Sequence, residues 1–112
     1  MNKRLLVCAL GLGLVAVSVP AVAQDTVVVV ADKYVFEPAE ITVKMGTRVR
    51  WENREKRQYH SVFFQQLGDE PGDYFFPGES RERVFDTPGS YPYICEPHSQ
   101  SHGMKGVVNV VE

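Results

Sequence analysis

The chemically soft residues are scarce in this 112-residue chain, which has three His, three Met and two Cys. After Val19 no apolar run approaches the roughly 20 residues that a membrane-spanning helix needs. Apolar positions of helical period are missing as well, so the chain does not read as helical. Nor is there an excess of cations. The formal net charge is −2, so nothing suggests the basic surface that a nucleic-acid binder carries. No internal repeat and no low-complexity segment appears. What remains is a short chain, β-like in pattern, with very few metal-binding or nucleophilic side chains.

Residues 1–23 read as an export signal rather than part of the fold. Lys3 and Arg4 form a basic start, Leu5 to Val19 an apolar run, and Ala21-Val22-Ala23 a small-x-small cleavage site. The run is too short for a retained anchor. Cys8 does not read as a lipidation site, because few apolar residues precede it and no small residue sits just before it. The mature chain is expected to begin at Gln24 and to lie in the periplasm. Losing Lys3 and Arg4 shifts the formal net charge from −2 to −4. Residues 24–112 then form a single domain with a modest core and one cysteine, Cys95. Structural cysteines in an oxidising compartment come in pairs, so a lone thiol there implies intermolecular pairing or a specific task, and metal ligation is such a task.

The mature chain shows short strand signals separated by turns. They are Thr26 to Val30, Tyr34 to Phe36, Ile41 to Lys44, Arg48 to Glu52, His60 to Gln65, Arg81 to Asp86, Tyr91 to Cys95 and Gly106 to Val111. Val49 and Trp51 share one face of their strand and the charges the other. Arg83 with Phe85 against Glu82 with Val84 is an ambiguous pattern. Leu67 to Gly78, rich in Gly, Pro and Asp, reads as loop. Seven to eight short strands make an all-β protein, an antiparallel β-sandwich whose end loops collect binding residues.

The most informative stretch runs from Tyr93 to Gly106. Cys95, His98, His102 and Met104 fall within ten residues of one another, and the only other histidine is His60. Two imidazoles, one thiolate and a long thioether bond are the donor set of a blue-copper electron-transfer centre. His60, Cys95, His98 and Met104 are the candidate ligands of one copper ion. His102 can replace His98 or Met104, and is expected instead as a solvent-edge histidine beside the site. Pro97 cannot donate a hydrogen bond toward the Cys95 sulfur.

At these residues the chain resembles the small cupredoxins, the blue-copper proteins related to plastocyanin, pseudoazurin and especially amicyanin. The resemblance rests on Phe36-x-Pro38, on Ile41-x-Val43-x-x-Gly46-x-x-Val49-x-Trp51-x-Asn53, and on Trp51 to Glu55 leading to His60. It rests equally on Gly89-x-Tyr91-x-Tyr93-x-Cys95-x-Pro97-His98 and Gly103-Met104-x-Gly106-x-Val108. It implies a Greek-key sandwich and a single-copper, one-electron shuttle whose electrons leave by the edge of His98. Amicyanin-like similarity further suggests a dehydrogenase donor and a c-type cytochrome acceptor, with the carrier a monomer. Three features depart from the pattern. Five residues separate His98 from Met104, Ser61 stands where Asn is common, and the Asn53–His60 loop is a residue longer and more basic.

Two surface features add expectations. Arg54, Lys56 and Arg57 can steer an acidic partner, or simply form a solvated face. Met45 can belong to an apolar rim near the copper. Against the carrier stands copper storage or delivery, with His102 and Met104 as transient ligands. An enzyme is disfavoured, because copper oxidase or nitrite reductase chemistry needs more histidines than three, and a two-copper centre needs two cysteines.

Overall fold

The computed structural model describes residues 25–112, so the expected export segment and its cleavage site lie outside the described residues. The chain forms β1 (Thr26–Asp32), β2 (Val35–Glu37), β3 (Glu40–Lys44), β4 (Thr47–Asn53), β5 (His60–Ser61), β6 (Tyr74–Phe75), β7 (Ser80–Phe85), β8 (Gly89–Ile94) and β9 (Lys105–Val111). A single helical turn, α1 (Ser99–His102), precedes β9. One sheet has the order β2-β1-β4-β7, a second the order β3-β9-β8, and β5 and β6 form a separate two-stranded ladder. The expected sandwich is there, with mixed rather than purely antiparallel sheets. β1 runs parallel to β4 and β3 parallel to β9.

β4 shows why this sequence takes this place. Thr47, Val49, Trp51 and Asn53 alternate as buried residues, while Arg48, Arg50 and Glu52 face outward, the two-residue period of a strand with one face in a core. Outward charges are paired along and across strands: Arg48 with Glu82 at 3.0 Å, Arg50 with Glu82 at 3.2 Å and Arg54 with Glu52 at 2.7 Å. Each such exposed pair contributes at most about 1 kcal/mol. The sheets meet through aromatic rings. Trp51 of β4 lies 5.4 Å from Tyr93 of β8, and Phe64 packs on both at 5.8 and 5.0 Å. Offset and edge contacts at these separations add to burial as the main cohesive force. Burial pushes the Tyr93 phenol up to about 12.

Elsewhere the fold differs from the strand pattern. The strand expected from His60 to Gln65 is only two residues long, followed by one bridge from Phe63 to Ile94 and a 3-10 turn at Gln65–Leu67. Phe64 turns into the core, and its N–H goes to the Asp69 carboxylate at 3.0 Å rather than to a neighbouring strand. β6 lies inside the stretch expected as loop. The ambiguous β7 is settled by its arginines. Arg83 lies over the Phe64 ring at 5.0 Å and meets Asp69 at 2.6 Å. Arg81 lies over Phe75 and meets Asp73. Guanidinium groups can lie against aromatic faces while keeping a carboxylate partner, so charge on the inward-facing positions does not break the strand.

Candidate metal centre

The site is assembled where the end of β8 meets β5. The bridge between Phe63 and Ile94 ties these two segments, with reciprocal N–H to O bonds of 2.9 and 3.1 Å. Cys95 follows at the end of β8, and His60 opens β5. The chain beyond Cys95 makes a 3-10 turn (Glu96–His98) and then α1. Gly103 ends that turn in the left-handed region at φ 62°, a conformation glycine adopts without a Cβ penalty. The chain thereby doubles back. Met104 N–H donates to the His98 carbonyl at 3.3 Å, and Cys95 N–H to the Met104 carbonyl at 3.0 Å. The five-residue spacing between His98 and Met104 is thus taken up by one turn of helix, and Met104 ends buried beside Cys95.

The donor atoms converge. Nδ1 of His60 lies 3.5 Å and Nδ1 of His98 3.3 Å from Cys95 Sγ. The three atoms lie within 4.8 Å of one another, the one such His/Cys/Asp/Glu group among the described residues. All three side chains are buried, and Cys95 is a free thiol. Burial pushes the Cys95 thiol up, opposed by the Ser61 N–H that points at its sulfur at 3.4 Å. A metal that takes the place of the proton resolves this, because the thiolate is the binding form. Desolvation, with the neighbouring His60 and His102, pushes the His98 imidazole down, which favours the neutral ring that a metal needs. A thiol and two neutral imidazoles, buried and turned toward one point, fit a soft metal ion.

Several residues around these donors were not assigned a part by sequence. Glu55 entered only as the end of the Trp51–Glu55 motif, with no role of its own, yet its Oε2 bonds His60 Nε2 at 2.8 Å. Burial alone would raise the Glu55 carboxyl, but the His60 ring and the Tyr34 and Lys33 N–H groups outweigh it and hold it below its usual value. The bond leaves Nδ1 of His60 free to face Cys95, the carboxylate–histidine arrangement that orients metal ligands. A carboxylate five residues before a candidate histidine was the available clue. Glu55→Ala is expected to weaken copper binding by about 10- to 100-fold in a chelator competition, with the fold retained. Buried Asn53 shapes the longer loop before His60. Its amide donates to the carbonyls of Gln58 (2.9 Å) and Phe75 (3.0 Å), and its oxygen accepts the Glu55 N–H.

Ser61 maintains the tie between the two ligand segments without an amide side chain: its hydroxyl oxygen accepts the Glu96 N–H at 2.9 Å. His102 is exposed beside the site, as expected of a solvent-edge histidine. Met45 is not near it. Its N–H donates to the Val111 carbonyl at the far end of β9, about 20 Å of strand from Lys105, so the apolar-rim expectation is corrected. Of the basic cluster, Arg54 is paired with Glu52, whereas Lys56 and Arg57 are exposed.

Residues 23–111 match the copper-binding proteins of the plastocyanin/azurin family. The chain is 41% identical over 87 residues to plastocyanin of Scenedesmus fuscus, covering 68% of this chain and 86% of that one. It is 34% identical over 92 residues to amicyanin of Paracoccus versutus, covering 79% of this chain and 67% of that protein. The crystal structure of that amicyanin superposes with a TM-score of 0.65, at 31% identity, over 80% of this chain and 85% of the other. A copper-containing nitrite reductase of Thermus scotoductus also superposes, with a TM-score of 0.65 and 26% identity. That match spans 88% of this chain but 25% of the enzyme.

Proposed function

The chain belongs to the plastocyanin/azurin family of copper-binding proteins, and on that premise we propose that it is a one-electron carrier whose copper is held by His60, Cys95, His98 and Met104. The observation that carries this is the convergence of one buried sulfur and two imidazole Nδ1 atoms within 4.8 Å. The bound ion supplies the redox chemistry, alternating between Cu(I) and Cu(II). The protein supplies a fixed donor set. His60 is held by Glu55, the Cys95 sulfur by the Ser61 N–H, and the Met104 backbone by its bonds to Cys95 and His98. Side chains fixed by their own hydrogen bonds and packing need little rearrangement when the charge at the site changes, and that favours fast transfer.

Electrons would pass by His98, the ligand nearest the surface at 8% exposure. Beside it an aromatic surface is formed by Tyr59, Tyr74 and Phe76, with Tyr59 4.9 and 5.7 Å from the other two and 6.2 Å from His98. Exposed Lys56 and Arg57 lie three and two residues before Tyr59 in the chain. An apolar patch with cations at one side suits a partner whose own patch is rimmed by carboxylates. A dehydrogenase donor and a c-type cytochrome acceptor are the partner classes that the likeness to amicyanin suggests. Export to the periplasm as a monomer completes this proposal. Lys56→Glu with Arg57→Glu should slow transfer to an acidic partner and flatten or invert its fall with salt, measured by stopped flow at several ionic strengths. An unchanged salt slope would remove steering from the account.

Delivery of copper is the competing function, and burial speaks against it: His60 and Cys95 are 0% exposed and Met104 1%. An enzyme is disfavoured because the chain has only three histidines, two of which face Cys95. Repeated redox cycling with an excess of a Cu(I) chelator separates carrier from delivery protein. A carrier keeps its copper through many cycles, while a delivery protein surrenders it within the first few.

A further inference from the structure

The metal-binding loop offers two imidazoles, His98 and His102, with ring centroids 5.8 Å apart. His102 is exposed, so burial does not restrain it, and it sits in the same loop as the proposed ligands Cys95, His98 and Met104. We infer that Tyr34 decides between them: by stacking on His102 it holds that ring away from the metal and leaves His98 as the loop's only imidazole ligand. The inference rests on the copper site proposed above and adds a positioning residue to it.

Tyr34 touches both rings in different ways. It lies flat on His102, with centroids 3.7 Å apart and planes 5° from parallel, and meets His98 edge to face at 4.9 Å and 77°. The remaining freedom of His102 is reduced by a hydrogen bond between its Nδ1 and Ser101 Oγ at 2.8 Å. To reach the metal, His102 would have to leave the stack and, if it used Nδ1, break that bond too. His98 meets only an edge of Tyr34, and its Nδ1 stays turned to Cys95 Sγ at 3.3 Å.

The backbone under Tyr34 holds its ring at the tip of a tight turn. Lys33 and Tyr34 have φ of 54° and 61°, the left-handed region that residues with a Cβ seldom occupy. Two such residues in succession between the paired Asp32 and Val35 make a type I′ turn, the connection that the twist of an antiparallel hairpin favours. The turn is also tied to the site: Tyr34 N–H donates to Glu55 Oε2 at 3.4 Å, the same oxygen that bonds His60. The turn therefore reaches both segments that carry the candidate ligands. A glycine would ease the backbone, but it would have no ring to place on His102.

The test compares copper-loaded wild type with Tyr34→Leu, Tyr34→Phe, His102→Ala and the double variant Tyr34→Leu/His102→Ala by electron paramagnetic resonance. Wild type, Tyr34→Phe and His102→Ala should each give one copper signal. Tyr34→Leu should show a second signal with altered hyperfine splitting, and the double variant should lose it. If Tyr34→Leu matches wild type, or its second signal survives in the double variant, the inference is overturned. Should Tyr34→Leu fail to fold, Tyr34→Gly fits φ 61° and removes the ring, with the same expectations. Proton NMR of the metal-free protein reads the stack itself. His102 ring protons should be shielded in wild type and move to free-histidine positions in Tyr34→Leu or Tyr34→Gly; unshielded wild-type protons overturn the inference. A wild type that binds no copper at Cys95 overturns the parent proposal instead, and with it the selection, while the NMR result still reports whether the stack exists.

Discussion

Replacing Cys95 with Ser abolishes the intense visible band of the copper-loaded protein and widens its copper hyperfine splitting to the ordinary range, while the fold survives. The spectroscopic loss is complete because no other donor can substitute for the thiolate. Cys95 is the only cysteine beyond Cys8, and its sulfur is the atom faced by both imidazole Nδ1 atoms. A serine hydroxyl at that place keeps its proton near neutrality and offers a hard oxygen instead of a polarizable sulfur. The fold is spared because the exchange is nearly isosteric and the new oxygen can accept the Ser61 N–H that now reaches the sulfur at 3.4 Å. The cost of a polar atom in this setting is about 1–3 kcal/mol at most. Absorption and paramagnetic resonance of the two proteins side by side decide it. A band that survives in the variant would place the colour elsewhere.

Gly106→Ala is the substitution expected to damage the fold most for the fewest atoms added. A Cβ at Gly106 would stand 2.4 Å from the Tyr93 ring and 2.8 Å from the Ala39 carbonyl oxygen. Tyr93 cannot move aside easily, since its ring is held between Phe36 at 4.8 Å, Phe64 and Trp51. The carbonyl is no freer, because it accepts the Val107 N–H at 2.8 Å. Overpacking of this kind costs about 1–3 kcal/mol. For a domain of this size that corresponds to a fall in Tm of about 5–20 °C. Thermal unfolding of the metal-free proteins by circular dichroism measures it. A variant within a degree or two of wild type would mean that the two sheets can separate locally at little cost. Because Tyr93 lies two residues before Cys95, the same variant should also loosen the metal centre.

The parts of this protein that were legible in its sequence are those governed by local pattern. Alternation along Arg48 to Glu52 revealed a strand with one buried face, and the donor types between Cys95 and Met104 pointed to copper. Scarcity helped, for with three histidines in the chain the partner from outside the loop had to be His60. Less legible were features set by contacts far apart in sequence. The parallel pairings of β1 with β4 and of β3 with β9 leave no mark in a two-residue period. Phe64 leaves the strand pattern because it is drawn into an aromatic cluster with Trp51 and Tyr93. Glu55 and Lys56 are both ordinary charges in sequence, and only the fold turns one toward His60 and the other toward solvent. Tyr34 read as a strand residue, although its backbone is left-handed and its ring covers the metal loop. Arg83 obscured β7 for a related reason: an inward arginine is tolerated there by Phe64 and Asp69, which no local pattern shows.

Titration of the metal-free protein with Cu(II), followed by visible absorption and paramagnetic resonance, decides whether Cys95 binds copper as a thiolate. An intense blue or green band with narrow hyperfine splitting should grow in, saturate at one equivalent, bleach on one-electron reduction and return on oxidation. A pale product with ordinary wide splitting would contradict the proposal, since Cys95 would then not be a ligand and the chain would not be a blue-copper carrier.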